Sequence, residues 1–153
     1  MRAGDSRQLL KVLWAGPCSL VGLLLVALLR TFGARLHRSD GVLLAIWRTG
    51  DADCGPLAKR LPYRAITLGH VIVGVTWRDL RHSLAHELVH VRQYERWGLL
   101  FFPAYALSSL WQLLRGRRPY WDNAFEVQAR RVAEGEAAAP RPGRRATPVH
   151  PPG

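Results

Sequence analysis

The sequence contains few cysteines and few acidic residues, and these shortages exclude several classes of protein. Its two cysteines, Cys18 and Cys54, cannot build a disulfide framework and supply no CxxC pair for a zinc knuckle. Neither a G-X-Y period nor a sustained heptad is present, which excludes collagen-like and coiled-coil proteins. The chain is 48% hydrophobic and 22% charged, which is too apolar for a disordered protein.

The shortage of acidic residues leaves the chain strongly basic. Eleven Asp and Glu residues oppose 22 Lys and Arg residues, of which 20 are Arg, and the net charge is +11. Such an excess indicates an anionic neighbour, either nucleic acid or a lipid surface. The cations are spread along the chain and lack an interleaved aromatic pattern, which disfavours nucleic acid. We therefore expect anionic membrane lipids, and no nucleic acid, among the partners.

Residues 12–29 form an uncharged run of 18 residues between Lys11 and Arg30. As a helix, this run would be about 27 Å long, close to the hydrocarbon thickness of a bilayer. A cleaved signal peptide fits less well because residues 32–34 are a poor cleavage site, and a core helix would be unusually apolar on all sides. We predict a single-pass transmembrane helix and assign residues 1–38 to a membrane anchor with basic flanks. The flanking cations nearly balance, so its orientation is not predicted.

The sequence after the anchor predicts a small β-sheet. Residues 41–47 are a short apolar run, and residues 49–62 are rich in Gly, Asp and Pro, which is typical of a loop. Residues 65–75 are rich in β-branched residues and predict one strand. Gly69 and Gly74 within it indicate a bulge or a close approach of another backbone.

Three helices are predicted after the sheet, so the fold class is α+β. The first, over residues 77–97, has one apolar face made by Leu80, Leu84, Leu88 and Val91. Residues 99–114 are too short and too interrupted for a second span, and predict an interfacial or core helix. Residues 121–136 predict the last helix. We assign residues 39–136 to one α+β domain and residues 137–153 to a disordered tail rich in Pro and Arg.

The predicted helix over residues 77–97 carries an HExxH motif, His86-Glu87-Leu88-Val89-His90. Residues at i and i+4 share one helix face, so both imidazoles can reach one metal ion at about 2.0–2.1 Å. Glu87 lies next to that face, where it can accept a proton from a zinc-bound water. The motif predicts Zn²⁺ as cofactor, His86 and His90 as ligands and Glu87 as the catalytic base.

A third ligand has to come from elsewhere in the chain. Glu126, 36 residues after His90, is the best candidate, although Asn123 and Glu126 also have the spacing of a helix capping box. Asp122 and Glu95 are weaker alternatives. If residues 99–114 crossed the bilayer, Glu126 would lie on the other side from the histidines. A metal site with this ligand therefore excludes a second span.

The evidence for a functional role is weaker for several other residues. His82 is one helical turn before His86 and could donate to a transition state, but a solvated surface histidine is the commoner case. Tyr94 and Tyr120 could polarise a carbonyl, although aromatic residues on helices more often serve packing. His70 on the predicted strand is interpreted as a packed or edge histidine. An exposed edge of that strand could pair with an extended peptide substrate.

These motifs carry a resemblance to a known family. HELVH followed by VRQYERWG, then FFPAY, then RRPYWDNAFEVQA, resembles a small group of bacterial membrane-associated proteins. That group is similar to gluzincin-type zinc metallopeptidases, in which a downstream Glu completes a His-His-Glu site. The resemblance covers about residues 12–132 and implies His86, His90 and Glu126 as ligands and Glu87 as base. The chain departs from the group at Ala124 and Gln128, where proline and an acidic residue are usual.

Together these inferences predict a minimal zincin-like protein in the bacterial inner membrane. We expect a zinc metallopeptidase that hydrolyses peptide bonds through a zinc-bound water activated by Glu87, with a peptide or protein as substrate. The alternative is a non-catalytic module that a metal stabilises for interaction with a partner. The number of protein ligands distinguishes the two, because a fourth ligand closes the site to substrate.

Overall fold

The fold is given by a computed structural model that describes residues 10–39, 41–47 and 65–138. The predicted loop over residues 49–62 lies outside these ranges, and so does the predicted tail beyond residue 138. In chain order the elements are α1 (Gly16–Thr31), β1 (Arg35–Ser39), β2 (Val42–Ile46), β3 (Ala65–Leu68), β4 (Val71–Gly74), α2 (Trp77–Trp97), a 3-10 helix (Gly98–Leu100), α3 (Phe101–Leu114) and α4 (Ala124–Ala138). The predicted α+β class is confirmed.

The four strands form one small mixed sheet in the order β1-β2-β4-β3. The pairs β1–β2 and β3–β4 are antiparallel, whereas β2 and β4 are parallel. Strand β3 therefore lies at one edge of the sheet, with one side of its backbone outside the described ladder.

The prediction of one strand over residues 65–75 is wrong, because the chain reverses there and forms the β3–β4 hairpin. Gly69 has φ of 61°, a left-handed conformation that glycine adopts without the usual steric cost. The reversal places Thr67 opposite Ile72, so both side chains lie on the same face of the sheet. In a single strand, these two residues would have faced opposite sides.

Helices cover both faces of the sheet, so the central strands are apolar throughout. On one face, Leu80 and Val91 of α2 pack into a buried cluster with Val42, Leu44, Ile46 and Ile72. On the other face, Val26 of α1 packs with Ala45 and Val71. The continuous apolar run around β2 is the pattern expected of a strand buried on both sides.

Helix α1 is tightly docked on the β3–β4 hairpin. A Cβ atom added to Gly69 would lie 2.3 Å from Ser19 Oγ, and one added to Gly22 would lie 2.7 Å from Val71 Cβ. Ser19 Oγ also accepts a hydrogen bond of 3.0 Å from the backbone N–H of His70. The close approach anticipated at Gly69 is therefore present. At 16 residues α1 is a short apolar helix, and the predicted single pass stays a prediction.

The motif helix ends before Gly98, and the apolar helix follows it in the chain after the 3-10 helix. The helix predicted over residues 77–97 is confirmed; Thr76 Oγ1 caps its start and Gly98, with φ of 55°, follows its end. Together with the 3-10 helix and α3, it forms a stretch, Trp77–Leu114, long and apolar enough by length and composition to cross a membrane. Its charged residues all belong to α2, so the apolar part begins after Arg96.

Candidate metal centre and active site

Helix α2 presents the three polar residues of the motif towards α3, α4 and the edge strand. His86 is partly buried, whereas Glu87 and His90 are only 6% and 8% exposed. An adjacent side of the same helix packs through Leu80 and Val91 on the sheet. Because the apolar contacts fix the rotation of the helix, the spacing of four residues brings both imidazoles to one point.

The two imidazoles and Glu126 form a compact triangle of ligand atoms. His86 Nε2 lies 3.1 Å from His90 Nε2 and 3.2 Å from Glu126 Oε2. His90 Nε2 lies 3.3 Å from Glu126 Oε1, and one ligand atom from each residue lies within 4.8 Å of the others. Tetrahedral coordination at about 2.0–2.1 Å requires ligand atoms about 3.3–3.4 Å apart. These three residues could therefore hold one metal ion.

Hydrogen bonds around His90 orient its ring for this role. Gln93 Oε1 lies 2.8 Å from His90 Nδ1 and accepts the proton of that nitrogen when Nε2 presents its lone pair. The amide of Gln93 is fixed in turn, because its Nε2 donates to Phe125 O at 3.1 Å and to Gln128 Oε1 at 2.9 Å. Partners of this kind set the tautomer of a metal-binding histidine.

Helix α4 turns the carboxylate of Glu126 towards the histidines rather than back to the start of its own helix. Asn123 Oδ1 accepts from the backbone N–H of Phe125, which caps a helix that begins at Ala124 and not at residue 121 as predicted. The carboxylate of Glu126 is 3% exposed and turns to the histidines. The structure therefore brings Glu126 together with His86 and His90 in a group that could hold a metal ion, and their role as ligands stays a prediction.

The two oxygens of Glu126 differ in their surroundings. Tyr105 donates a hydrogen bond of 2.9 Å to Oε1. Oε2 is buried and accepts no hydrogen bond within the part of the chain that the structure describes, although it lies 3.2 Å from His86 Nε2 and 3.9 Å from Arg130 Nη1. A buried carboxylate oxygen without a donor is costly unless a cation compensates it. The donor set of two imidazole nitrogens and one carboxylate suits Zn²⁺ and several other divalent transition metals.

The charges of these groups depend on one another. Burial acts to lower the pKa of His90, but the hydrogen bond and negative charge of Glu126 outweigh it and raise that pKa above its ordinary value. Burial acts to raise the pKa of Glu126, but its contacts with His86 and His90 hold it well below the usual range. Glu126 is therefore ionised at neutral pH, as a metal ligand must be.

Glu87 lies beside the triangle and is held by the edge strand. Thr67 Oγ1 donates a hydrogen bond of 2.7 Å to Glu87 Oε2. Burial raises the pKa of Glu87 above its ordinary value, while the bond from Thr67 and the neighbouring histidines oppose that increase. A carboxyl with a raised pKa is suited to take and return a proton near neutral pH.

A cavity of about 330 Å³ opens over these residues. His86, Glu87, His90 and Glu126 line one part of it, and β3 lines another. The remaining wall is largely aromatic and comprises Tyr94, Phe101, Phe102, Tyr105 and Tyr120. The cavity thus joins the candidate metal centre to the edge strand of the described sheet and to an apolar wall, which is the usual composition of a ligand pocket.

Several residues considered from the sequence do not contribute ligand atoms. Glu95 pairs with His70 at 3.4 Å and with Lys11 at 3.5 Å, on the side where α1 docks. Asp122 accepts from the backbone N–H of Arg118, and His82 is exposed. Tyr94 packs on Phe101 with ring centroids 4.2 Å apart, and Tyr94 and Tyr120 both line the cavity.

Three residues that hydrogen-bond to the grouped side chains, Gln93, Thr67 and Tyr105, were not predicted from the sequence. Gln93 could have been, because it lies three residues after His90 on the same helix face. Thr67 could not, since its contact with Glu87 depends on the hairpin that replaces the predicted strand. Tyr105 reaches Glu126 only through the packing of α3 on α4, which no local pattern encodes.

We compared the chain with protein-family models, with curated proteins and with solved structures, and nothing in any of the three matches it.

Proposed function

We propose that this protein is a membrane-associated zinc metallopeptidase with a minimal zincin-like core. The observation that carries the proposal is the triangle of His86, His90 and Glu126, in which no described residue donates a hydrogen bond to one buried oxygen of Glu126. When both ring nitrogens, 3.1 Å apart, present their lone pairs beside the carboxylate, all three groups are acceptors that a cation stabilises. The glutamate next to the first histidine adds the base that peptide hydrolysis requires.

The residues around the cavity have separate tasks in the proposed reaction. An extended peptide adds to the edge of β3 that has no partner strand among the described residues, through backbone hydrogen bonds, and this places its scissile carbonyl near the histidines. A Zn²⁺ ion held by His86, His90 and Glu126 would supply an activated water and would polarise that carbonyl. Glu87, held by Thr67, takes the proton of the attacking water and gives it to the leaving amine as the C–N bond breaks.

Peptide cleavage by zinc-loaded protein tests this proposal directly. We expect Glu87→Gln to keep the zinc and to lose at least about 100-fold in activity, since it retains the shape of the side chain but not its basicity. Zinc binding without peptidase activity in the wild type would instead support the alternative, a metal-stabilised interaction module.

The proposed location is the bacterial inner membrane, with residues 12–29 as the lipid-contacting segment. The side of α1 away from the sheet is apolar, and Leu20, Leu24 and Leu28 on it are more than half exposed. That side can contact lipid while α1 stays docked. A single pass would require α1 to leave the β3–β4 hairpin or to take the hairpin into the bilayer.

A further inference from the structure

The outer face of α3 is apolar, and no described part of the chain covers it. Leu107, Leu110, Trp111 and Leu114 are 66%, 49%, 55% and 73% exposed. A contiguous apolar surface of this kind on a folded domain marks a contact with a partner or with lipid.

The same helix forms a wall of the active-site cavity. Phe101, Tyr105 and Ala106 line the cavity from α3, and Tyr105 also donates to Glu126. The two surfaces meet along one i, i+4 row of α3, because Phe102 and Ala106 line the cavity and the exposed Leu110 and Leu114 continue the same row. A molecule that contacts the outer face of α3 is therefore next to the mouth of the cavity.

The charges at the end of α3 indicate which partner this face fits. Arg115, Arg117 and Arg118 follow the helix directly and are exposed. Arg115 lies over the ring of Trp111, with its guanidinium carbon 4.8 Å from the ring centroid. Within the described residues, no carboxylate pairs with these three guanidinium groups. An apolar face with aromatic and cationic residues at its end is complementary to an anionic bilayer surface.

We propose that α3 lies on an anionic lipid surface and that the cavity beside it takes an extended peptide segment held at that surface. This inference rests on the proposed peptidase function and adds its substrate class. A segment next to a membrane anchor reaches β3 by moving along the lipid surface. A soluble peptide gains nothing from that surface.

The position of α3 can be tested without any activity. A photo-crosslinking amino acid is placed at Leu110 of the full chain, and in a control at the exposed Glu134 of α4. The protein is illuminated on vesicles that contain phosphatidylglycerol. We expect crosslinks from position 110, and not from position 134, to lipid acyl chains. Absence of lipid adducts at position 110 would overturn the lipid contact.

The substrate class is tested with one peptide sequence presented in two ways to zinc-loaded protein. The peptide is either free or joined to a transmembrane segment in the same vesicles. We expect the membrane-held form to be cleaved at least about tenfold faster. The double variant R117Q/R118Q should lose most of that advantage, at about fivefold per cation, while cleavage of the free peptide is unchanged.

The outcomes separate the two proposals. Equal cleavage of free and membrane-held peptide would overturn the substrate class and leave the peptidase intact. Lipid adducts at position 110 with no cleavage of either peptide would overturn the peptidase, and the substrate class with it.

Discussion

Thr67 on the edge strand donates a hydrogen bond of 2.7 Å to the carboxylate of Glu87 on α2. The bond joins the strand proposed to bind substrate to the proposed catalytic base. Because a donor stabilises the ionised carboxylate, it opposes the rise in the pKa of Glu87 that burial produces. The position of β3 and the basicity of Glu87 are therefore linked.

The first prediction concerns Thr67→Val, which removes this donor while keeping the shape of the side chain. The pKa of Glu87 should rise further, so less carboxylate is ionised at acidic pH. The acid limb of the pH profile of kcat/KM should move to higher pH, with about tenfold lower activity on that limb. Thr67→Ser keeps the hydroxyl and should behave as wild type. An unchanged acid limb in the valine variant would show that Thr67 does not tune the base.

The second prediction concerns Gln93, whose side-chain oxygen fixes the ring of His90. Gln93→Leu should weaken zinc binding by about 10–100-fold, the usual effect of losing a partner of a histidine ligand. Gln93→Glu keeps an acceptor at the same place and should bind zinc at least as tightly as the leucine variant. Zinc affinities from competition with a chelator measure both. Equal affinity in wild type and the leucine variant would contradict this role.

The third prediction is a pH dependence of zinc binding. His90 must lose its proton to bind a metal, and its pKa is raised by Glu126. Protons therefore compete with zinc below that raised pKa, and the loss of affinity should begin at a higher pH than for an ordinary histidine. The affinity for zinc should fall by at least about tenfold for each pH unit below the raised pKa of His90. An affinity that stays level down to about pH 6, near the ordinary pKa of histidine, would contradict the assignment.

The fourth prediction tests the docking of α1. Gly69→Ala should destabilise the protein by more than about 2 kcal/mol, because it combines a positive φ with a Cβ 2.3 Å from Ser19 Oγ. Gly33→Ala is the matched control: its φ is 85°, but its Cβ would meet nothing within 4 Å. Gly33→Ala should lower the free energy of unfolding by only about 1–2 kcal/mol. Equal losses on chemical denaturation would indicate that α1 does not pack on the hairpin.

The sequence predicted those features that depend on local spacing. Helix α2 has the predicted bounds, because Thr76, Gly98 and its apolar face are all local signals. Glu126 was reached by elimination among few acidic residues, and the site geometry agrees with it. The reversal at Gly69 was not predicted, because a run of β-branched residues has the same composition whether it forms one long strand or two short ones.

The docking of α1 was not predictable from its own composition. An uncharged apolar run has the same appearance whether lipid or a sheet covers it, and here the sheet covers one side. Contacts such as Ser19 with His70 depend on residues 51 positions apart. Such long-range pairs leave no periodic signal in a single sequence.

Metal content measures the central claim most directly. Wild-type protein, Glu126→Ala and the control Glu134→Ala, an exposed residue on the same helix, are purified in detergent with zinc and analysed by elemental mass spectrometry and X-ray absorption. We predict one zinc ion per chain in wild type and control, bound by two imidazoles and one carboxylate, and at least about 100-fold weaker binding in Glu126→Ala. Wild-type protein that stays metal-free at micromolar zinc, or a Glu126→Ala variant that binds zinc as tightly as wild type, would contradict the account.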